Sequence, residues 1–341
     1  ILRIPRPEGE VLMSSATDIL IEDPNAESQK QSGFLTGLAR AVGSFYTKKT
    51  LGAVGLTIIL LLVVVAVFAP LISRYDPSFT FQSDNPDYKS NPSIADLAKN
   101  SNAGSPMIVA QLQQPDSEHW FGTTRAGRDI YARIIYGTRT SLAVGIIASV
   151  LAVGLGIIVG GACGYYLGWL DLLVQRVIDT LQALPSLVLL LLVGQTFEPS
   201  LTNVIITMGV IGLPITSRLI RSAVLAIRAS TFVEAAAALG ASDSRIMFRH
   251  VFPNIGSVVI ISFTIGIGAY ILFEASLSFL GVGPMGVISW GRMVNEGRAS
   301  IDIHPWMTVF SGAALSLTVV AFNLFGDAIR DVLDPRLRGS R

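Results

Sequence analysis

The residues best placed to do chemistry lie between Thr231 and Pro253, and their chemistry is docking rather than catalysis. The stretch reads Thr231-Phe-Val-Glu234-Ala235-Ala236-Ala-Ala-Leu-Gly240-Ala-Ser242-Asp243-Ser-Arg245-Ile-Met-Phe-Arg249-His250-Val-Phe252-Pro253. Thr231, with Glu234 three residues on, fits a capping box. The alanines and leucine that follow are strong helix formers. Gly240 fits the left-handed stop that ends a helix. Ser242 can cap a second helix, with Asp243 in its first turn, where the helix dipole favours a negative charge. Arg245, Arg249 and His250 lie toward the other end. The spacing therefore specifies two short helices around a glycine break. A loop so fully specified, set between apolar runs, points to something that docks on it.

Other motifs exclude function classes. Gly281-Val-Gly283-Pro-Met-Gly286 matches Gly-x-Gly-x-x-Gly, but no strand precedes it and no amphipathic crossover helix follows, so it is no dinucleotide site. No Gly-Lys pair exists, so a Walker A loop is absent; the last lysine is Lys99. His119, His250 and His304 make no metal-ligand pattern. Cys163, the single cysteine, lies in an apolar stretch and reads as a small packing residue. No Ser/His/Asp constellation is suggested, so the chain is expected not to be an enzyme, and no cofactor or metal site is expected.

The elements that position the loop are membrane spans. The chain has 341 residues, 51% hydrophobic and only 14% charged, too apolar for an ordinary soluble domain. Its net charge of +1 gives no hint of nucleic acid. Six uncharged segments reach the ~20 residues needed to cross ~30 Å of hydrocarbon. They are Leu51–Ile72, Ser141–Leu170, Thr180–Phe197, Pro199–Ser217, Asn254–Phe273 and Pro305–Gly326. The third is the shortest and carries Gln182 and Pro185. The run Ala275–Gly291, broken by Gly281, Gly283, Pro284 and Gly286, reads as a re-entrant or interfacial segment. The first span, preceded by Arg40, Lys48 and Lys49, reads as a signal anchor.

Arginines set the orientation. Arg176, then Arg218, Arg221, Arg228, Arg245 and Arg249 after the fourth span, and Arg330, Arg336, Arg338 and Arg341 after the sixth, fall on one side with Lys48 and Lys49. That side is expected to be cytoplasmic, with both termini. Before the second span, Arg128, Arg133 and Arg139 interrupt Ile130, Tyr131, Ile134, Ile135 and Tyr136, which reads as an amphipathic helix on the outer membrane surface. Gly156, Gly160, Gly164 and Gly168 form a small-residue face in the second span, suited to close helix packing either within one subunit or between two. Pro185 and Pro214 kink the third and fourth spans. Asp179, Gln182 and Glu274 read as interfacial or structural hydrogen-bonding groups.

The loop resembles the EAA loop of the permease subunits of ATP-binding-cassette importers. Glu234, Ala235, Ala236, Gly240, Phe252 and Pro253 fall in register with that family's pattern, and His250 stands where the pattern has an aliphatic residue. Further stretches resemble the second permease of the peptide and nickel importers. They are Phe121-Gly-Thr, Gly127-Arg128-Asp129 with Arg133, Gly137 to Leu142, Glu274 to Gly283, Ser289-Trp-Gly291, and Phe322 to Asp327 running into Asp331 to Leu337. The resemblance runs from about residue 45 to the C-terminal end. Thr124, the segment Pro284 to Ser289 and the length of the loop over 73–115 depart from that branch.

What the resemblance implies is an all-α polytopic protein of six transmembrane helices with the type I importer permease fold, in a prokaryotic cytoplasmic membrane. The expected divisions are a cytoplasmic segment over 1–45, a first span over 46–75 and an external loop with its interfacial helix over 76–140. A core over 141–328, with the coupling loop at 226–254, and a cytoplasmic tail over 329–341 complete the chain. Glu234, Ala235, Ala236, Gly240, Arg249, His250, Phe252 and Pro253 would couple to an ATPase. The implied partners are a second, homologous permease, two ATPase subunits that bind the ATP and Mg, and an external substrate-binding protein. The implied cargo is di- or oligopeptides, with nickel or another small solute as the alternative. A stand-alone channel or secondary transporter fits less well, because no ionisable residue falls in the middle of a span.

Overall fold

The structure, a computed structural model, describes residues 43, 45–47, 49–87, 89–90, 93–102, 105–198 and 200–333. Nearly all of the expected N-terminal segment, Lys48, and the tail beyond Leu333 with Arg336, Arg338 and Arg341 lie outside the described residues.

The first apolar run forms α1 (Thr50–Val67), followed by the one-turn α2 (Ala69–Ile72). Pro70 falls in the first turn of α2, where a missing N–H is harmless. Next comes a small folded head. Strands β1 (Gln82–Asp84) and β2 (Met107–Val109) pair antiparallel, Ser83 opposite Ile108, with the short α3 (Ile94–Lys99) between them in sequence. Ser93 and Asp96 form a full capping box on α3. Lys89 and Ser93 hold the exposed Asp96 carboxyl down at about 2. Under the head, His119 Nδ1 lies 2.8 Å from Asp129 Oδ2, both buried, with the Tyr75 and Phe81 rings against the imidazole. The apparently unpatterned segment is thus closed on itself by local caps and one buried polar pair.

Helix α4 (Ile130–Tyr166) corrects the expectation of a separate surface helix. It is continuous over 37 residues, ~55 Å at ~1.5 Å per residue, well beyond the ~30 Å of hydrocarbon. Its outer turns are not laid on a bilayer surface. Ile130, Arg133, Ile134 and Ile135 are buried in protein, and Asp129 caps the helix by accepting from Ala132 N at 2.7 Å. Arg139 donates from Nε and Nη2 to the carbonyls of Ala66 and Val67, meeting the negative end of α1.

The expected third span is broken. Helix α5 (Gly168–Ala183) and α6 (Ser186–Thr196) meet at an 86° bend. Pro185 disfavours helical backbone at the residue before it, and Leu184 is extended at φ −90°, ψ 133°. At ~1.5 Å per residue, neither half alone crosses the hydrocarbon. Helix α7 (Leu201–Arg228) tolerates Pro214 and runs a further eleven residues past the expected end at Ser217. Arg218, Arg221 and Arg228 are therefore helix residues, not loop residues. Arg221 grips Asp171 of α5 through two 2.6 Å hydrogen bonds, and Arg218 meets Asp179 at 2.7 Å. Asp179 thus serves a helix–helix contact.

The loop itself consists of α8 (Thr231–Ala238), α9 (Asp243–Ile246) and α10 (Phe252–Asn254), and α11 (Gly256–Phe279) follows it. Ala275–Phe279 completes α11; only the residues after it form the glycine-rich connection to α12 (Trp290–Arg298), and the chain closes with α13 (Trp306–Leu333). Within α11, Glu274 is buried and accepts from Ser278 Oγ at 2.6 Å. Among the described residues, α1, α4, α7, α11 and α13 are long and apolar enough to cross a membrane, and the bent pair makes up to six.

Small residues hold these helices together. A Cβ on Gly156 would stand 2.7 Å from Thr216 Oγ1, on Gly160 2.2 Å from Ser217 O, and on Gly164 2.8 Å from Arg221 O. The glycine face of α4 therefore packs on α7 of the same chain, which decides between its two readings. Thr216 Oγ1 donates across this contact to Ala152 O at 2.8 Å. Such bonds average ~0.6 kcal/mol in membranes, so close backbone packing carries most of the contact. Gly168 takes no part: its Cβ would meet nothing within 4 Å.

Candidate coupling loop

Helix α7 ends at Arg228, and a tight turn through Ala229 and Ser230 starts α8. Ser230, not Thr231, holds the N-cap position, and its hydroxyl donates to Ile227 O at 2.5 Å. The expected capping box does not form, because the last carbonyls of α7 lie within reach of that hydroxyl. Glu234 is left exposed in the first turn, where its charge favours the helix dipole without a cap bond.

The stop at Gly240 takes the expected form. Its φ is +82°, the Gly240 N–H donates to Ala237 O at 2.9 Å, and the Ala241 N–H donates to Ala236 O at 3.1 Å. These two bonds make a Schellman motif, which needs a left-handed residue at this position. Ser242 then stands at the N-cap of α9 but makes no cap bond; its hydroxyl lies 3.4 Å from that of Ser244. Asp243 instead accepts from Tyr165 Oη at 2.9 Å, tying the second limb to the inner end of α4.

Helix α9 widens into a π-turn over Met247–Val251, where Phe252 N–H reaches Met247 O. Pro253 explains it. Proline cannot donate to the carbonyl four residues back, and its ring crowds that carbonyl. A single wide turn relieves the clash. Asn254 Nδ2 donates to the His250 carbonyl at 2.6 Å.

The loop has two faces. Val233, Ile246, Val251 and Ile255 are buried with Tyr165, Ile220 and Val224. Phe252 is half-buried with its ring on Gly161, where a Cβ would come within 3.1 Å. Ala236 also faces this side. On the other face, Leu239 is 89% exposed, Phe248 69% and Phe232 44%. Glu234, Ala235, Arg245, Arg249 and Pro253 are exposed beside them, and His250 is half-buried with its ring 6.4 Å from that of Phe232. Large apolar side chains interspersed with exposed charges suit a protein partner better than lipid tails.

Sequence reasoning did not single out Leu239, Phe248 or Phe232. An eight-residue helix is too short for its apolar period to say whether Phe232 or Val233 points inward. The hydroxyl of Tyr165, 78 residues before its partner Asp243, carried no local signal at all.

The family described as binding-protein-dependent transport system inner membrane component matches residues 152–339, more than half of the chain. The chain belongs to this family. A second profile, the N-terminal TM domain of oligopeptide transport permease C, matches residues 46–92 of this permease. A dipeptide transport system permease protein of Alkalihalophilus pseudofirmus is 35% identical over 324 residues, covering 95% of this permease and 98% of that protein. A glutathione transport system permease protein of Escherichia coli is 38% identical over 282 residues, covering 82% and 85%. An inward-facing structure of the MetNI methionine ABC transporter superposes with a TM-score of 0.50 at 17% identity, over 59% of this permease and 96% of that chain, a likeness of fold alone.

The permease also holds a cavity of about 450 Å³ between α4, α6, α7 and α11. Most of its wall is apolar; Ser149, Ser186, Ser262 and Tyr270 are among its polar residues, and Arg330 also lines it. Arg330 is exposed, in the last turn of α13.

Proposed function

We propose that this permease is one of two related membrane subunits of an ATP-driven importer that takes up di- or oligopeptides. Its companions in this reading are a second permease, two cytoplasmic ATPases that bind the ATP and Mg, and an external protein that delivers the peptide. The observation that carries the reading is the loop itself: an inner face anchored to α4 and α7, and an outer face on which Leu239, Phe248 and Phe232 are exposed among the described residues. The relatives named for dipeptide and glutathione transport support peptides as cargo. The loop lies on the arginine-rich side, so it and both termini face the cytoplasm in this reading.

Each part of the loop has a role in the mechanism. Closure of the ATPases around ATP moves whatever is seated on them. The outer face of α8 and α9 is the seat, and Gly240 sets the angle between the two limbs. Val233, Ile246, Phe252 and the Tyr165–Asp243 bond pass the displacement to α4 and α7. The glycine-stripe contact keeps α4 and α7 moving as one body. The cavity then opens outward to receive peptide and, after hydrolysis, inward to release it. ATP energy reaches this chain only through contacts that differ between the two states.

The direct test is uptake of a radiolabelled dipeptide mixture by vesicles holding the full complex. Uptake that needs internal ATP and is competed by unlabelled peptides, but not by nickel, is expected. Competition by nickel alone would overturn the cargo assignment. Glu234→Gln provides a narrower check. Glu234 makes no cap bond, so the change removes charge and leaves the local fold intact. Thermal stability of the complex is expected to stay unchanged, while peptide-stimulated ATP hydrolysis falls several-fold. Unchanged hydrolysis would remove Glu234 from the contact.

A further inference from the structure

Along the second limb of the loop, side chains are buried and exposed in the reverse of the order that an ordinary helix would give. The backbone is helical from Asp243 through Asn254. Val251 is fully buried. At ~100° per residue, an α-helix would bring Phe248, three residues before Val251, onto the same inward face, and would turn Ile246, five before it, ~140° away. Instead Ile246 is 2% exposed and Phe248 69%. The wide turn accounts for the reversal. The bond from Phe252 N–H to Met247 O spans five residues instead of four, so Ile246 and Val251 return to one face and Phe248 is left on the other. Ordinary spacing then resumes: Ile255 N–H donates to Val251 O at 3.2 Å, and Ile255 is buried in the same cluster.

Both sides of the wide turn are fastened to one face of α4. Before it, Asp243 accepts from Tyr165 Oη at 2.9 Å; after it, the Phe252 ring lies on Gly161, one turn back along α4. The stretch before the turn is held by that single bond and by Ile246, the stretch after it by Val251, Phe252 and Ile255. Pro253 is exposed and stands outside this cluster. Its part is to exclude the straight turn: it lacks the N–H that an α-helical bond to the Arg249 carbonyl requires, and its ring crowds that carbonyl.

We propose that Pro253 is a positioning residue for energy coupling: by keeping one extra residue in the turn, it sets the register that presents Phe248 to the ATPase and keeps Ile246 in the core. This rests on the importer reading above and deepens it. Pro253 acts through Phe248 and not by touching the ATPase itself. Once proline is replaced, the straight turn regains its hydrogen bond and competes with the wide one. The less firmly held stretch before the turn then yields and rotates by ~100°. Phe248 swings toward the core, Ile246 swings toward solvent, and the Tyr165–Asp243 bond is lost.

The test uses Pro253→Ala, which changes an exposed side chain and opens no cavity. Register is read in full-length permease carrying Ile246→Cys or Phe248→Cys; the native Cys163 is buried and does not compete. Rates of thiol labelling are measured in opened membranes stripped of their ATPase subunits. Peptide uptake and peptide-stimulated ATP hydrolysis are measured in vesicles of the full complex without the reporter cysteines. With Pro253 in place, position 248 is expected to label faster than position 246. With Pro253→Ala the order is expected to reverse, and uptake and stimulated hydrolysis to fall several-fold. An order unchanged by the substitution, or already reversed with Pro253 in place, would overturn the register role; lost uptake with an unchanged order would make Pro253 a direct contact instead. A reversed order with full uptake would overturn the role in coupling. Absence of ATP-dependent uptake with Pro253 in place would overturn the importer reading beneath it, and the labelling order, read without the ATPases, tells the two failures apart.

Discussion

Gly240→Val is expected to abolish peptide uptake while leaving the permease inserted and the spans packed. A Cβ at Gly240 would meet nothing within 4 Å, so no clash obscures the effect. What the substitution changes is backbone preference. At φ +82° a β-branched residue is strained by ~1 kcal/mol or more, so the limbs of the loop swing to another angle. The Schellman bonds to Ala236 and Ala237 are lost with it. Leu239 and the limb carrying Phe248 then no longer present one surface. Gly240→Asn, which enters the left-handed region more easily, is expected to keep much of the uptake. The measurement is uptake together with ATP hydrolysis in reconstituted vesicles, with co-purification of the ATPases as control. Normal uptake and fully stimulated hydrolysis by Gly240→Val would remove this loop from energy transmission.

The second large effect belongs to Gly160. Its Cβ position lies 2.2 Å from the Ser217 carbonyl oxygen, a backbone atom that cannot rotate away. Even Gly160→Ala must therefore push α4 and α7 apart, breaking the tight packing on both sides of the contact. Overpacking costs typically ~1–3 kcal/mol, and displaced backbone puts this case at the upper end. Recovery of assembled complex is expected to fall steeply, with a lowered midpoint of thermal unfolding for what remains. Gly154, on the same helix, is the control, because a Cβ there meets nothing within 4 Å. Gly154→Ala is expected to leave recovery unchanged. Equal recovery and equal midpoints for the two variants would contradict the close approach of α4 and α7.

The contrast between these two glycines shows what the sequence could and could not convey. Both the stop at Gly240 and the small-residue stripe of Gly156, Gly160 and Gly164 are local patterns, readable from spacing. The partner of the stripe was not readable, because i, i+4 spacing describes one helix face and says nothing of what covers it. Span positions were legible from charge-free length. Their ends were not, because α4 runs on through the buried Arg133 and α7 through the half-buried Arg221, whose partners, Glu296 and Asp171, are 163 and 50 residues distant in sequence. Pro185 gave warning of a kink, but the 86° break depends on how α5 is pinned to α7 by Arg218 and Arg221. The capping box at Thr231 failed for a similar reason: the competing acceptor, Ile227 O, belongs to the preceding helix. The inner face of the loop rests on tertiary contacts from α4 and α7, whereas the large side chains of its outer face, Leu239 and Phe248, stay mostly exposed.

The central claim is that the loop over 226–254 is a cytoplasmic seat for an ATPase, and labelling at Ser242 tests it most directly. Ser242 is exposed and makes no cap bond, so Ser242→Cys disturbs little, while the native Cys163 is buried and does not compete. A membrane-impermeant thiol reagent is applied to intact cells, to opened cells, and to opened membranes stripped of their ATPase subunits. The account predicts no labelling in the first, slow labelling in the second and fast labelling in the third. Labelling in intact cells, or a rate indifferent to removal of the ATPases, would contradict it.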